Sequence, residues 1–197
     1  MKLLIRDDSV EIDGYVNAIE RESKPLMSRL GTFVEKIKKG AFAKALEEND
    51  NVRVFLNHKR DIGGQADGNL ELEEDAIGLK AHTVITDPEV VRDAKNGDLV
   101  GWSFGFRDKD VTLGTNDDGL LTRAVNALEL IEVSILNREA SPAYEGTLIE
   151  VRDEQTHFYS GLFEDEIEVR QEPKQPKEVE KINYSKYEEI LKEIKED

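Results

Sequence analysis

Residues 101–106 read Gly-Trp-Ser-Phe-Gly-Phe, bulky and bare positions alternating with the period of a β-strand. In a strand, successive side chains leave on opposite faces. Trp102, Phe104 and Phe106 therefore share one face, and Gly101, Ser103 and Gly105 the other. Three aromatic rings on one face require a core to bury them. The opposite face, stripped of bulk, leaves room for a second backbone beside Ser103, although a glycine-marked bend that merely tolerates the serine produces the same pattern.

The rest of the chain is built of similarly short pieces. Residues 10–18 predict a strand with Gly14 as a bulge. Phe33, Ile37 and the Gly40-Ala41-Phe42 step lead into a helix over 41–48, stopped by Asn49-Asp50-Asn51. The apolar run 52–57 predicts a strand that delivers His58, its ring starting from a largely buried edge. Residues 70–73 and 78–85 read as two strands joined through Glu74-Asp75-Ala76. Asp87-Pro88-Glu89 opens a second helix with a capping acid and a proline at the first turn, and Gly97 closes it. Strands follow at 100–106 and 111–113, a turn at 116–119, and one long or two consecutive strands at 120–136. Many short strands with few helices predict a mainly β fold, a closed or nearly closed β-barrel with peripheral helices.

Composition changes after about residue 150. Gln171-Glu-Pro-Lys-Gln-Pro-Lys177 is a charged, proline-punctuated linker, too polar to fold alone. Residues 184–196 predict a short amphipathic helix, capped by Ser185 with Glu188 three positions on. Its stripe of Tyr187, Ile190, Leu191 and Ile194 suits either a partner or the chain's own domain. The expected organisation is a folded domain over 1–152, a charged linker over 153–183 and a helix over 184–197.

A formal charge of −16 argues against direct binding of nucleic acid, which needs clustered Lys and Arg. It favours solubility and is compatible with a basic partner. The chain has no cysteine, which excludes disulfides, thiolate catalysis and cysteine-based metal sites and fits a reducing compartment. No stretch is apolar for long enough to be a secretion signal or a membrane span.

Ser103 needs a base before it can act as a nucleophile, and His58 is the candidate. A histidine ending an apolar strand is more commonly a satisfied core residue, so neither residue carries the case alone. The third candidate is Glu132, which breaks the apolar run Leu130-Ile-Glu-Val-Ser-Ile-Leu136 and shares a strand face with Ser134. Burying a carboxylate there is costly unless it is paired, and a histidine that becomes cationic during reaction would pair it. Glu129 and Asp61 are competitors for that role, and an edge strand would leave Glu132 in solvent. His82 and His157 form no metal-ligand spacing with acids or with another histidine, so neither a metal nor a cofactor is expected.

Taken in order, these segments resemble the prohead proteases of tailed bacteriophages, capsid-maturation serine proteases related to the herpesvirus assemblins. The resemblance runs through Gly40-Ala41-Phe42, Leu56-Asn57-His58, Asp75-Ala76-Ile77-Gly78-Leu79, Gly97-Asp98, Trp102-Ser103-Phe104-Gly105-Phe106, Leu130-Ile131-Glu132-Val133-Ser134 and Ser141-Pro142-Ala143-Tyr144. Lys59 stands where the family often has an Asp after its Asn-His motif. The likeness covers roughly residues 10–150 and leaves the tail out. It implies a herpesvirus-protease-like barrel, with Ser103 as nucleophile and His58 as general base. It places Glu132 where assemblins use a second histidine, and by analogy puts backbone amides of the Asn137–Ala140 loop at the oxyanion. It also implies an endopeptidase working inside the assembling procapsid in the host cytoplasm. Its substrates would be scaffold or the scaffold domain of the capsid-protein precursor, and the chain itself; it would self-associate, with no membrane partner. The alternative is a catalytically silent core component that nucleates assembly through its acidic tail. A small-ester hydrolase is disfavoured, because Ser103 lies within an aromatic strand and not on a strand–elbow–helix turn.

Overall fold

The structure is a computed structural model describing residues 1–28, 31–139, 156–160 and 168–171. Strands β1 (Lys2–Ile5), β2 (Val10–Ala18), β3 (Leu26–Ser28) and β4 (Gly31–Ile37) precede helix α1 (Ala41–Glu48). Strands β5 (Arg53–Leu56), β6 (Arg60–Gly64), β7 (Leu70–Glu74) and β8 (Gly78–Ile85) lead to helix α2 (Pro88–Asn96). Strands β9 (Leu99–Thr115), β10 (Leu121–Asn137), β11 (Thr156–Ser160) and β12 (Glu168–Gln171) follow. The fold is mainly β, as the strand pattern predicts.

Among the described residues the strands do not close into a barrel. They form a five-stranded sheet in the order β12-β1-β2-β8-β7 and a seven-stranded sheet in the order β11-β9-β10-β4-β3, from which β5 and β6 branch at β10. A barrel needs an unbroken ladder around its circumference. Among the described residues a single bridge, Ile19 to Ile37, joins the end of β2 to β4. The branch arises because β10 is long enough to take two parallel partners along one edge, β4 at Leu121–Val125 and β5 at Glu132–Ile135. Its length also explains why β9, expected as two strands, runs as one: β10 pairs with it from Leu121 to Asn137, and irregular register steps absorb the mismatch.

The aromatic face behaves as the alternation requires. Trp102, Phe104 and Phe106 are buried. Phe104 stacks on Phe106 with centroids 5.4 Å apart and meets Phe42 of α1 edge-on at 5.5 Å. The Gly40-Ala41-Phe42 step thus delivers the ring that packs behind the Ser103 strand. Gly14 is not the bulge of β2, whose register shifts between Tyr15 and Asn17. Its role is one of space, since a Cβ there would lie 3.1 Å from Trp102 Nε1.

Helix α2 begins and ends as its sequence predicts. The Asp87 carboxylate accepts the N–H groups of Glu89 and Val90 at 3.0 and 3.2 Å, and Gly97 closes the helix at φ 72°. In the β7–β8 hairpin, Asp75 Oδ1 accepts the N–H groups of Ile77 and Gly78, and its Oδ2 accepts the Tyr15 hydroxyl at 2.6 Å. The Tyr15 hydroxyl, helped by those amides, holds the Asp75 carboxyl below its ordinary range. Gly78 is fixed by contact: a Cβ would fall 2.0 Å from the Asn17 carbonyl oxygen and 2.8 Å from Ala18 Cα. Backbone atoms cannot rotate away, so Gly78→Ala is expected to cost about 1–3 kcal/mol, read as a lower denaturation midpoint in urea. An unchanged midpoint would show that β2 yields more easily than its pairing with β8 implies.

Strands β11 and β12 both lie within residues 153–183. β11 runs antiparallel to β9, and β12 parallel to β1. The 141–144 motif and the predicted helix over 184–197 lie outside the described residues.

Candidate active site

Two adjacent strands and the turn that follows a third carry the three candidate residues. Ser103 lies in β9, Glu132 in β10, and His58 in the connection between β5 and β6. The register sets Ser103 opposite Ser134 and Gly105 opposite Glu132. Glycine across from the carboxylate leaves its side chain room over the sheet. On the other edge of β10, Glu132 and Ser134 pair with Arg53 and Phe55 of β5, which directs the following turn back over the same face.

That turn has unusual geometry. Asn57 and His58 adopt φ of 54° and 57°, and the Lys59 N–H closes the turn on the Leu56 carbonyl at 3.0 Å. Two successive positive-φ residues match a type I′ hairpin turn, where asparagine is favoured first and glycine is the default second residue. A histidine in the second position carries backbone strain, a recurring trait of functional sites. The ring's place is therefore not set by the buried edge expected of the strand, which ends at Leu56. The ring is placed by the turn and by hydrogen bonds. The His58 N–H donates to Ser134 Oγ at 2.8 Å, and Ser134 Oγ is placed to donate to the Phe55 carbonyl at 3.2 Å.

The imidazole bridges the other two residues. Nε2 lies 2.7 Å from Ser103 Oγ, and Nδ1 makes a very short contact with Glu132 Oε1. A carboxylate only accepts, so Nδ1 carries the hydrogen and Nε2 is free to accept the serine proton. Ser103 is 1% exposed and Glu132 4%, whereas the His58 side chain is 14% exposed. Burial of the carboxylate strengthens its hydrogen bond to the ring relative to one made in water. Ser103, 1% exposed, is less open than its flanking glycines suggest, and both edges of its strand are paired. β10 lines one edge of β9, and β11 lines the other with Ser160 opposite Ser103.

Both competitors for the third position are engaged elsewhere. Asp61 takes the Arg53 guanidinium through two hydrogen bonds of 2.9 and 2.6 Å. That guanidinium holds the Asp61 carboxyl below its ordinary range. The pair therefore contributes stability above the ordinary aspartate range, which is lost as pH falls through the depressed value. Glu129 lies 3.7 Å from Arg107 at the surface. The loop after β10 is also committed. The N–H groups of Asn137, Arg138 and Glu139 donate to Asn57 Oδ1, the Asp98 carbonyl and Asn137 Oδ1 at 3.0, 2.9 and 3.1 Å. Ala140 lies outside the described residues.

Sequence reasoning named Ser134 without its function as acceptor for His58. It missed the asparagine pair Asn57–Asn137, joined at 2.7 Å. The asparagine heading a two-residue hairpin turn was the available signal. Glu11, Asp13 and His82 bring potential ligand atoms within 4.8 Å of one another in the other sheet, with Asp13 bonded to His82 Nδ1 at 2.9 Å. Cross-strand pairing of β2 with β8 creates this group, which no linear spacing shows.

A nucleophile, a base and an orienting carboxylate in this order can perform acyl transfer. No curated protein and no solved structure matches the chain. Residues 2–160 match the family model described as caudovirus prohead serine protease, a span that takes in all three strands of the site and ends where β11 ends. The chain belongs to the caudovirus prohead serine protease family.

Proposed function

We propose that this chain is an endopeptidase of procapsid maturation, acting on scaffold or on the scaffold domain of the capsid-protein precursor, and on itself. The observation that carries the reading is the His58 bridge between Ser103 and Glu132. Ser103 Oγ attacks the peptide carbonyl carbon as His58 Nε2 takes the hydroxyl proton. Collapse of the tetrahedral intermediate breaks the C–N bond, and His58 returns that proton to the leaving amine. Water, deprotonated by the same nitrogen, then hydrolyses the acyl-enzyme. Glu132 orients the ring and stabilises its cationic form in both halves.

Action on itself is supported by β11, a stretch of the chain's own backbone paired to the nucleophile strand. The proposed setting is the interior of the assembling procapsid in the host cytoplasm, with self-association and capsid or scaffold protein as partners. The charge of −16 weighs against direct contact with nucleic acid.

Co-expression with a capsid-protein precursor is expected to shorten the precursor. The purified chain should take up one equivalent of a serine-directed fluorophosphonate, mapped to Ser103 by mass spectrometry. An unreactive, full-length chain that coassembles with uncut precursor would overturn the reading in favour of a silent scaffold component.

A further inference from the structure

We infer that Asp93, Asn137 and Asn57 form a positioning relay that sets the strained turn carrying His58. The inference rests on the serine-protease reading of the site. Buried polar side chains are costly unless hydrogen-bonded, and here they converge. Asp93 of α2 and Asn137 at the end of β10 are 4% and 2% exposed, as deeply buried as Ser103, Glu132 and Ser134.

The chain of contacts is continuous and directional. Asn137 Nδ2 donates to Asp93 Oδ2 at 2.8 Å. A carboxylate accepts only, so this bond fixes which end of the Asn137 amide faces the helix and turns its Oδ1 toward the turn. That oxygen accepts Asn57 Nδ2 at 2.7 Å, and Asn57 Oδ1 accepts the Asn137 N–H at 3.0 Å. The Asn57 side chain is thereby held at both ends by one residue. Its own N–H donates to the Ile135 carbonyl at 2.9 Å, so backbone and side chain are both pinned to β10. The residue so clamped is the first of two at positive φ, and the second is His58.

The strained conformation needs a surrounding structure that over-determines it. Ser134 secures the turn beneath His58, and the relay secures it one residue earlier. Releasing the relay lets the turn relax, and the imidazole then swings from the line between Ser103 and Glu132. Asp93 is anchored in its turn: Arg92 donates to its Oδ1 at 2.9 Å, and its carbonyl accepts the Asp98 N–H at 2.8 Å. None of the three relay residues is bonded to Ser103 Oγ or to the imidazole ring nitrogens. They act through His58 and are positioning residues.

The test measures the second-order rate of Ser103 modification by a fluorophosphonate and, by proton NMR on the Ser103→Ala background, the downfield resonance of His58 Nδ1–H. Asp93→Ala is expected to slow modification about 10- to 100-fold, the effect of a misplacement near 1 Å, and to shift or broaden the imidazole resonance. Asp93→Asn, which can still offer Asn137 an acceptor, should return the rate to within about threefold of wild type, given that one neutral hydrogen bond then replaces a charge-assisted one. Should Asp93→Ala fail to fold, Asn57→Gly probes the same link, because glycine accepts the positive φ without strain while deleting the amide. Either folded variant reacting at the wild-type rate with an unmoved resonance would overturn the relay. The resonance is read without hydrolysis, so an unreactive wild-type chain whose resonance still moves on Asp93→Ala would refute the protease reading and leave the relay standing.

Discussion

Ser103→Ala and His58→Ala are each expected to lower cleavage of the capsid-protein precursor by about 10⁶-fold, and combining them should cost almost nothing more. The basis is the single proton path through Nε2, 2.7 Å from Ser103 Oγ. A serine without its base and a base without its serine are equally idle, so their losses do not add. The two variants differ in stability. Alanine occupies the Ser103 position without strain, and His58 keeps Glu132. Removing His58 leaves the Glu132 carboxylate, 4% exposed, without its imidazole. Leaving a buried acceptor without its donor costs about 1–3 kcal/mol, and more for a charged one, so His58→Ala should unfold at lower urea than Ser103→Ala. Precursor cleavage measured over hours with each purified variant checks the first expectation, and equilibrium unfolding the second. Additive losses would show that Ser103 and His58 serve separate steps and would sink the shared mechanism.

Much of this site was legible in one dimension because strand periodicity is simple. Alternation placed the rings at 102, 104 and 106 on the core face and set Ser103 on the other; Glu132 stood out as an acid in an apolar run that had to be paired. What did not show was the meeting of β9, β10 and β5. That depends on β10 accepting a parallel partner at Glu132–Ile135, a long-range choice that no local pattern encodes. Full closure of the expected barrel is not found among the described residues, for a related reason. Alternation reports that a strand has a buried face but not whether its edges find partners, and here the ladder forks at β10 and, among the described residues, meets the other sheet at one bridge. The turn at Asn57–His58 was hidden by the apolar run before it, which invites extending the strand past its end at Leu56. The Asp93–Asn137–Asn57 contacts were hidden because their members come from a helix, a strand end and a turn, each ordinary in its own segment.

Glu132→Gln is expected to reduce precursor cleavage by about 10⁴-fold while leaving the fold in place. Glutamine keeps the shape and most of the packing of the buried side chain, but its amide can donate to Nδ1 where the carboxylate could only accept. Such an amide favours the imidazole tautomer with its hydrogen on Nε2, the nitrogen 2.7 Å from Ser103 Oγ. That nitrogen then has no lone pair to receive the serine proton, and the neutral amide no longer stabilises an imidazolium. The loss should fall on the rate of acylation, with little change in apparent affinity for substrate, because Glu132 bears on His58 and not on the peptide. Glu129→Gln provides the contrast. Its carboxylate sits at the surface, 3.7 Å from Arg107, and cleavage by that variant is expected to stay within about twofold of wild type, as for a solvent-screened ion pair. Steady-state cleavage of a peptide spanning a precursor processing site, with the two variants side by side, decides between them. A large loss in Glu129→Gln with none in Glu132→Gln would move the orienting carboxylate three residues down β10 and overturn the pairing seen at Nδ1.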